Sequence, residues 1–224
     1  MGVSIYTNDF LVDNSTPERT QRNAAFLADY ALHPGRTVSL LPRVIVGRID
    51  RNEFYVQGSE WILQGELADK MIGSEFNFIR AETRWLGAWL PTPSLNIAAQ
   101  AQLGTKSGHE VQHKFYLGGL DTLRGFLDGQ FRGDHYWLLN AELRPTLWRS
   151  PLAVLQGNVF ADVAKTWDEQ HFSLAGFERP AISTGAGVRV VLPRIYRAVI
   201  RLDVARTHTP VKQTGIAFGL QQFF

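Results

Sequence analysis

The run His109-Glu110-Val111-Gln112-His113 has the H-E-x-x-H spacing used by zinc hydrolases. On a helix it sets two imidazoles one turn apart on one face, beside a glutamate able to act as general base. The surroundings argue for another conformation. Gly104-Thr105-Lys106-Ser107-Gly108 precede the run, and Phe115, Gly118 and Gly119 follow it, which reads as a strand end entering a loop. In an extended chain residues i and i+4 lie ~13 Å apart, too far to share an ion, and no later helix supplies a third ligand. The expectation is a solvated external loop with no metal. Ser183 and His208 raise a second chemistry, that of a serine hydrolase. Nothing in their spacing links them to an acid, so they are expected to be structural polar groups. The sequence has no cysteine, which excludes disulfides, thiolate metal sites and cysteine nucleophiles. No cofactor is expected.

The elements that carry these residues follow from composition and pattern. A chain of 224 residues suffices for one domain or one barrel. The net charge of +2 and the absence of a basic run predict no nucleic-acid partner. No 18-residue apolar run encodes a transmembrane helix. The N-terminus, MGVSIYTNDFLVDNS, lacks the apolar core of a signal peptide; this leaves a cytosolic chain or a mature or recombinant form, and the patterning that follows favours the latter.

A period of two dominates instead. Leu155, Val159, Ala161 and Val163 alternate with Gln156, Asn158 and Asp162. Trp137, Leu139, Ala141 and Leu143 oppose Asn140, Glu142 and Arg144, and Ile200, Leu202 and Val204 oppose Arg201 and Asp203. This is the strand signal. One face carries almost no charge through five consecutive strands, while the other mixes charge with glycine. Apolar outside and polar inside, in strands of about ten residues, is the transmembrane β-barrel pattern; the soluble alternative is a lipocalin-like barrel with the faces reversed. Strands are expected near 22–33, 36–49, 53–66, 76–90, 94–105, 135–148, 153–166, 181–193, 198–208 and 214–224, with residues 1–21 an uncertain strand or N-terminal segment. The expected fold is all-β, an antiparallel transmembrane β-barrel of 10–12 strands in a single domain over 1–224. Short links alternate with long ones, as periplasmic turns alternate with external loops, which puts the C-terminus in the periplasm. Trp85, Trp89, Trp148, Trp167 and Phe224 near strand ends are candidates for interfacial girdles.

Several blocks in order, GGLDTLRGF (118–126), NAELRP (140–145), NVFADVAKTW (158–167), STGAGVRVVLP (183–193), IRLDVA (200–205) and a final phenylalanine, resemble the C-terminal half of the BamA/TamA-like superfamily. These are outer-membrane protein assembly and translocation barrels, also called bacterial surface-antigen barrels. The resemblance runs from about residue 74 to 224. It implies that residues 106–134 form a long loop folded into the lumen, with Gly118, Gly119, Leu123, Gly125 and Phe126 as its motif. Arg124 is then the loop-tip arginine and Glu142 and Asp162 its wall partners, an ion-pair network more than an acid–base site. Arg201 and Asp203 are expected to extend that wall lattice. Leu123 stands where the family usually has valine or isoleucine, and Ala164 where it usually has glycine. The chain has no room for POTRA domains or sixteen strands, so a minimal form is expected.

The resemblance implies an outer-membrane location and a role in membrane-protein insertion or translocation. The partners would be outer-membrane lipids, client outer-membrane or secreted proteins, and the barrel assembly machinery. A small passive pore or structural barrel is the alternative, and an outer-membrane hydrolase the least favoured reading. Ile216, Phe218, Leu220 and Phe224 form an apolar row ending in an aromatic C-terminal residue, which resembles the signal by which a last strand is recognised. Deleting Phe224 is expected to lower assembly in cells more than refolding into detergent micelles, both read by heat-dependent gel mobility. Equal loss in the two settings would assign the residue to stability alone.

Overall fold

The computed structural model describes residues 2–8, 16–18, 20–21, 35–52, 54–108, 111–169, 178–195 and 198–220. Within them the chain forms β1 (Gly2–Asn8), β2 (Gly35–Leu41), β3 (Arg43–Arg51), β4 (Val56–Ala68), β5 (Phe78–Thr92), β6 (Leu95–Ser107), β7 (Phe115–Leu117), β8 (Phe131–Gly133), β9 (His135–Arg149), β10 (Val154–Trp167), β11 (Ala181–Leu192), β12 (Ala198–Thr209) and β13 (Thr214–Leu220). Eleven of these make one antiparallel sheet in the order β1-β2-β4-β5-β6-β9-β10-β11-β12-β13, with β3 alongside β4, while β7 and β8 form a small hairpin. Among the described residues β1 and β13 stand at the two ends of that path.

The strand expected over 36–49 is divided. Pro42 has no N–H to give to a ladder and a fixed φ, so β2 and β3 separate at it. β2 pairs mainly with β1 and meets β4 only at Ser39↔Ala68 and Leu40↔Leu67. β3 takes over the ladder against β4 from Arg43↔Gln64 to Arg51↔Val56. Residues 1–21 contribute β1. The strand expected over 22–33 lies outside the described residues. The one expected from residue 53 begins at Val56, because Phe54 and Tyr55 belong to the turn before it.

Parity decides the two faces. Leu139, Leu143, Val159, Val188, Leu202, Val204 and Phe218 are exposed, whereas Asn140, Glu142, Arg144, Gln156, Asn158, Asp162, Arg189, Arg201 and Asp203 are buried. Contacts between non-neighbouring strands, such as Arg201 on β12 with Glu142 on β9, show that the sheet curls around the polar face. The apolar rows thus point away from the interior.

Among the described residues, chain packs against this interior at both ends. At the end where the short turns lie, the turn between β3 and β4 reaches across. Phe54 packs on Val154, Val191 and Val199 at the ends of β10, β11 and β12, its carbonyl accepts from Gln156 Nε2 at 2.8 Å, and the Arg149 guanidinium covers its ring at 4.5 Å. Asn96 holds the adjoining backbone by accepting from Val56 N–H and donating to Val56 O. At the other end Phe115, Leu117, Leu123, Phe126, Tyr136, Leu138, Ala164 and Ala181 form one apolar cluster. Burying a side chain such as Leu123 there stabilises by roughly 1.5–3 kcal/mol. Trp167 departs from the girdle expected of it: it is buried, and its ring tilts against His135 at 5.4 Å.

Gly185 supplies room inside the wall. A Cβ there would meet the Phe160 ring and the Val204 carbonyl oxygen, each at 2.3 Å, so only hydrogen lets β11 pass between them. Gly185→Val is expected to destabilise the fold by about 1–3 kcal/mol through overpacking, measured by urea unfolding in micelles. An unchanged midpoint would mean that the wall relaxes freely around Phe160.

Candidate functional site

The site is built by three elements: the loop between β7 and β8, and the inward faces of β9 and β10. Two tight glycines give the loop its shape. Gly118 has φ +131° and a Cβ there would lie 2.0 Å from the Leu127 carbonyl oxygen; Gly125 has φ +88° and lies against Ala205 and Thr207. Neither conformation suits an L side chain. Thr122 Oγ1 donates to Gly118 O at 2.7 Å, and Gly119 N–H donates to Phe126 O at 3.2 Å. Leu123 and Phe126 fill the apolar cluster, with Phe126 edge-on to Phe131 at 5.0 Å. This packing delivers Arg124, between them in sequence, into the interior at 1% exposure.

Arg124 then meets both acids. Its Nε donates to Asp162 Oδ2 at 2.7 Å and its Nη2 to Asp162 Oδ1 at 2.5 Å, a bidentate fork, while Nη1 donates to Glu142 Oε1. The backbone N–H of Arg124 adds a bond to Asp162 Oδ2 at 3.2 Å. Such paired, charge-assisted bonds match the planar guanidinium to carboxylates in a way that lysine cannot reproduce. The register explains the meeting: Asp162 lies opposite Asn140, and Phe160 opposite Glu142, so both acids project from neighbouring rows of one face. Asn140 completes the arrangement. It donates to Asp162 Oδ1 and to Thr122 O, each at 2.7 Å, and accepts from Gln100 at 2.8 Å.

Sequence reasoning passed over two features. Phe160, on the polar face by parity, lies under the Arg124 guanidinium at 3.6 Å, a cation–π platform for which Gly185 clears the space. The second is the convergence on Glu142. Arg144 donates to its Oε2 at 2.6 Å, Arg189 approaches the same oxygen at 3.6 Å, and Arg201 reaches Oε1 at 3.4 Å. Arg201 also pairs with Asp203, which accepts from Asn158 at 3.2 Å. The parity of Arg144, Arg189 and Arg201 was available in the sequence. Their convergence was not, because it depends on how tightly the sheet curls.

The other candidates are placed as follows. His109 and Glu110 lie outside the described residues. His113 sits in a 3-10 turn (Val111–His113), buried, stacked on Phe78 at 4.2 Å and edge-on to Phe76 at 5.5 Å. Ser183 is buried on the inner face and its ladder partner is Asp162, whereas the neighbouring exposed pair is Thr184 with His208 at 2.8 Å. Ser183 and His208 therefore point to opposite faces and form no dyad. Ile216, Phe218 and Leu220 are exposed along β13; Phe224 lies outside the described residues.

Removing one member of a buried, hydrogen-bonded charge cluster leaves its partners uncompensated and typically costs about 3–5 kcal/mol. Arg124→Ala is expected to lower stability by that amount and to open residues 111–134 to proteolysis, with Arg124→Lys restoring only part. Combined with Glu142→Gln or Asp162→Asn, the losses should be non-additive. Additive losses with unchanged protease protection would mean that the arginine does not hold the loop.

The comparisons with known proteins bear on the whole chain. No curated protein matches it. The family model described as the Omp85 superfamily domain matches residues 3–224. With that match over nearly its full length, the chain belongs to the Omp85 superfamily.

Proposed function

We propose that this chain is an integral β-barrel of the bacterial outer membrane that takes part in inserting or translocating other proteins, and that it is not an enzyme. What supports the membrane reading is the inverted patterning: an exposed face of Leu139, Leu143, Val159, Val188, Leu202 and Val204 around a buried charged interior. In water that face would leave large apolar area unburied; in hydrocarbon it is solvated, and the strand N–H and C=O groups are satisfied by the ladder. On this reading residues 1–224 form one barrel domain, the ends of the sheet path meet to close it, and the C-terminus faces the periplasm. The segment 106–134 is its inward-folded loop, with Gly118, Gly119, Leu123, Gly125 and Phe126 shaping it and Arg124, Glu142 and Asp162 pinning it. The row Ile216, Phe218, Leu220 and Phe224 serves as the recognition strand for the assembly machinery.

The observation that favours assembly over passive conduction is the packed interior. Arg124, Glu142, Arg144, Asp162, Arg189, Arg201 and Asp203 are each at most 1% exposed, between the Phe54 turn and the Leu123 cluster. A pore needs a continuous aqueous path, and around this cluster of described residues side chains fill the interior instead. Members of the superfamily act on outer-membrane proteins, so the partners proposed are unfolded client barrels and the surrounding lipids.

Reconstitution into liposomes tests the reading. The protein should accelerate the folding of an added outer-membrane barrel into the bilayer while passing little steady ion current. Large steady conductance without acceleration would replace the proposal with a passive pore. The membrane orientation has its own test. Leu202→Arg on the outer face should cost about 2–4 kcal/mol at mid-membrane depth and reduce refolding into bilayers. A neutral effect there would return the faces to a soluble barrel.

A further inference from the structure

The outward rows of β10, β12 and β13 change character at one end only. On β12 the row runs Ile200, Leu202 and Val204 and then turns polar at Arg206 and His208, all of them exposed. On β13 it runs Leu220, Phe218, Ile216 and ends at Thr214, and on β10 it runs Val159, Ala161, Val163 and ends at Lys165. At the short-turn end these rows and that of β11 finish in Leu155, Leu192, Ile200 and Leu220, without charge. No carboxylate lies on the outward rows of these four strands. The cations therefore mark the end where the long connections lie.

Hydrogen bonds gather further cations at the same place. Gln213 N–H donates to Thr207 Oγ1 at 2.9 Å, which folds the turn carrying Lys212 over the backbone between Arg206 and His208. Thr209 Oγ1 donates to Pro180 O at 2.6 Å, which brings Arg179 to the end of β12. Ala164 pairs with Ala181, so Lys165 lies beside Pro180. Arg206 lies in register with Thr184 and Thr214, and its Nη1 donates to Thr214 Oγ1 at 3.2 Å, a neutral partner. His208 is paired with the Thr184 hydroxyl at 2.8 Å. Among the described residues none of Lys165, Arg179, Arg206 and Lys212 pairs with a carboxylate. The nearby acids lie beyond the strand ends: Asp168 pairs with Lys114 at 2.8 Å, and Glu169 and Glu178 are exposed.

We propose that Arg206, Lys212, Arg179 and Lys165 form a docking patch for the phosphates of an outer-leaflet glycolipid, whose acyl chains lie along Val204, Ile216 and Phe218. The proposal rests on the membrane orientation proposed above. A single cation at this level would simply extend its head to water; here four gather from two strands and two turns without an acid among them. Arginine offers a phosphate a planar fork of donors, and lysine adds charge. The apolar rows run directly up to Arg206, so the ligand that fits carries chains and phosphates together, which free phosphate does not. The short-turn end of the same rows has no such cations, so the patch serves one leaflet. On the orientation proposed, that leaflet is the outer one, where the phosphates sit on sugar.

The protein refolded into zwitterionic micelles is titrated with diphosphoryl lipid A, and bound lipid is counted by native mass spectrometry. One lipid should be retained per chain, and neither phosphatidylglycerol nor inorganic phosphate should displace it at equal phosphate concentration. Each cation near an anionic lipid surface contributes roughly fivefold in affinity, so Arg206→Gln should weaken binding about fivefold and Arg206→Gln with Lys212→Gln about 25-fold. Arg194→Gln, in the turn at the opposite end, should leave it unchanged. Displacement by phosphatidylglycerol or by inorganic phosphate overturns the proposal, as does full retention by the double variant or an equal loss in Arg194→Gln. If the variants do not refold, the displacement arms decide on the unmutated chain. Protein that inserts into bilayers and is blocked by Leu202→Arg, yet retains no glycolipid, overturns this proposal alone. A neutral Leu202→Arg overturns the membrane reading beneath it.

Discussion

Glu142 is the group on which the interior depends. Its two oxygens receive Arg124 from the loop, Arg144 from its own strand, and Arg189 and Arg201 from β11 and β12. No apolar residue could occupy that point, since four guanidiniums would then repel one another in a space that excludes water. Asp162 and Asp203 assist it, each pairing with one of the same guanidiniums. Curvature, loop position and interior charge are therefore one constraint. A sheet that curled less would carry Arg201 away from Oε1, and a loop that stopped short would leave Asp162 without the guanidinium that it pairs with.

The apolar contacts act around this centre rather than in place of it. Leu123 and Phe126 drive the loop inward because burying them beside Phe115, Leu138 and Ala164 is favourable. Arg124 is carried with them by covalent connection. Its cost of desolvation is then offset by the bidentate bonds to Asp162 and by the Phe160 face beneath it. The Ala164 methyl fits this apolar cluster. The Phe54 turn repeats the scheme at the opposite end on a smaller scale: a ring buried among valines, with its carbonyl and its face both met by polar groups of the wall.

Much of this was legible in the chain before any coordinates. The period of two assigned Glu142, Asp162, Arg201 and Asp203 to one face and Leu202, Val204 and Phe218 to the other, because on a strand parity alone decides direction. What parity does not carry is distance across the sheet. Nothing local says that Arg189 and Arg201 bend toward Glu142, or that Phe160 rather than a polar residue lies under Arg124. The division of 36–49 was readable in principle from Pro42, whose missing N–H interrupts a ladder, but the apolar runs on either side hid it. Trp167 shows the opposite limit: proximity to a strand end suggested an interface, whereas the burial of its ring depends on His135, thirty-two positions earlier. The H-E-x-x-H spacing would have meant something only on a helix, and His113 instead packs on Phe76 and Phe78.

The hydrogen bonds of the loop tip span very different lengths of chain. Arg124 reaches Glu142 across 18 residues and Asp162 across 38, but Gly125 O accepts from Gln213 across 88. Loop-closure entropy grows with that separation, so contacts to β9 and β10 have the shorter search and the contact to the final turn the longest. Gly215, which follows that turn, also lies against Gly125 so closely that a Cβ there would be 3.1 Å from its Cα. The last hairpin thus rests on the same loop tip that Arg124 anchors, so the loop ties the middle of the sheet path to its far end.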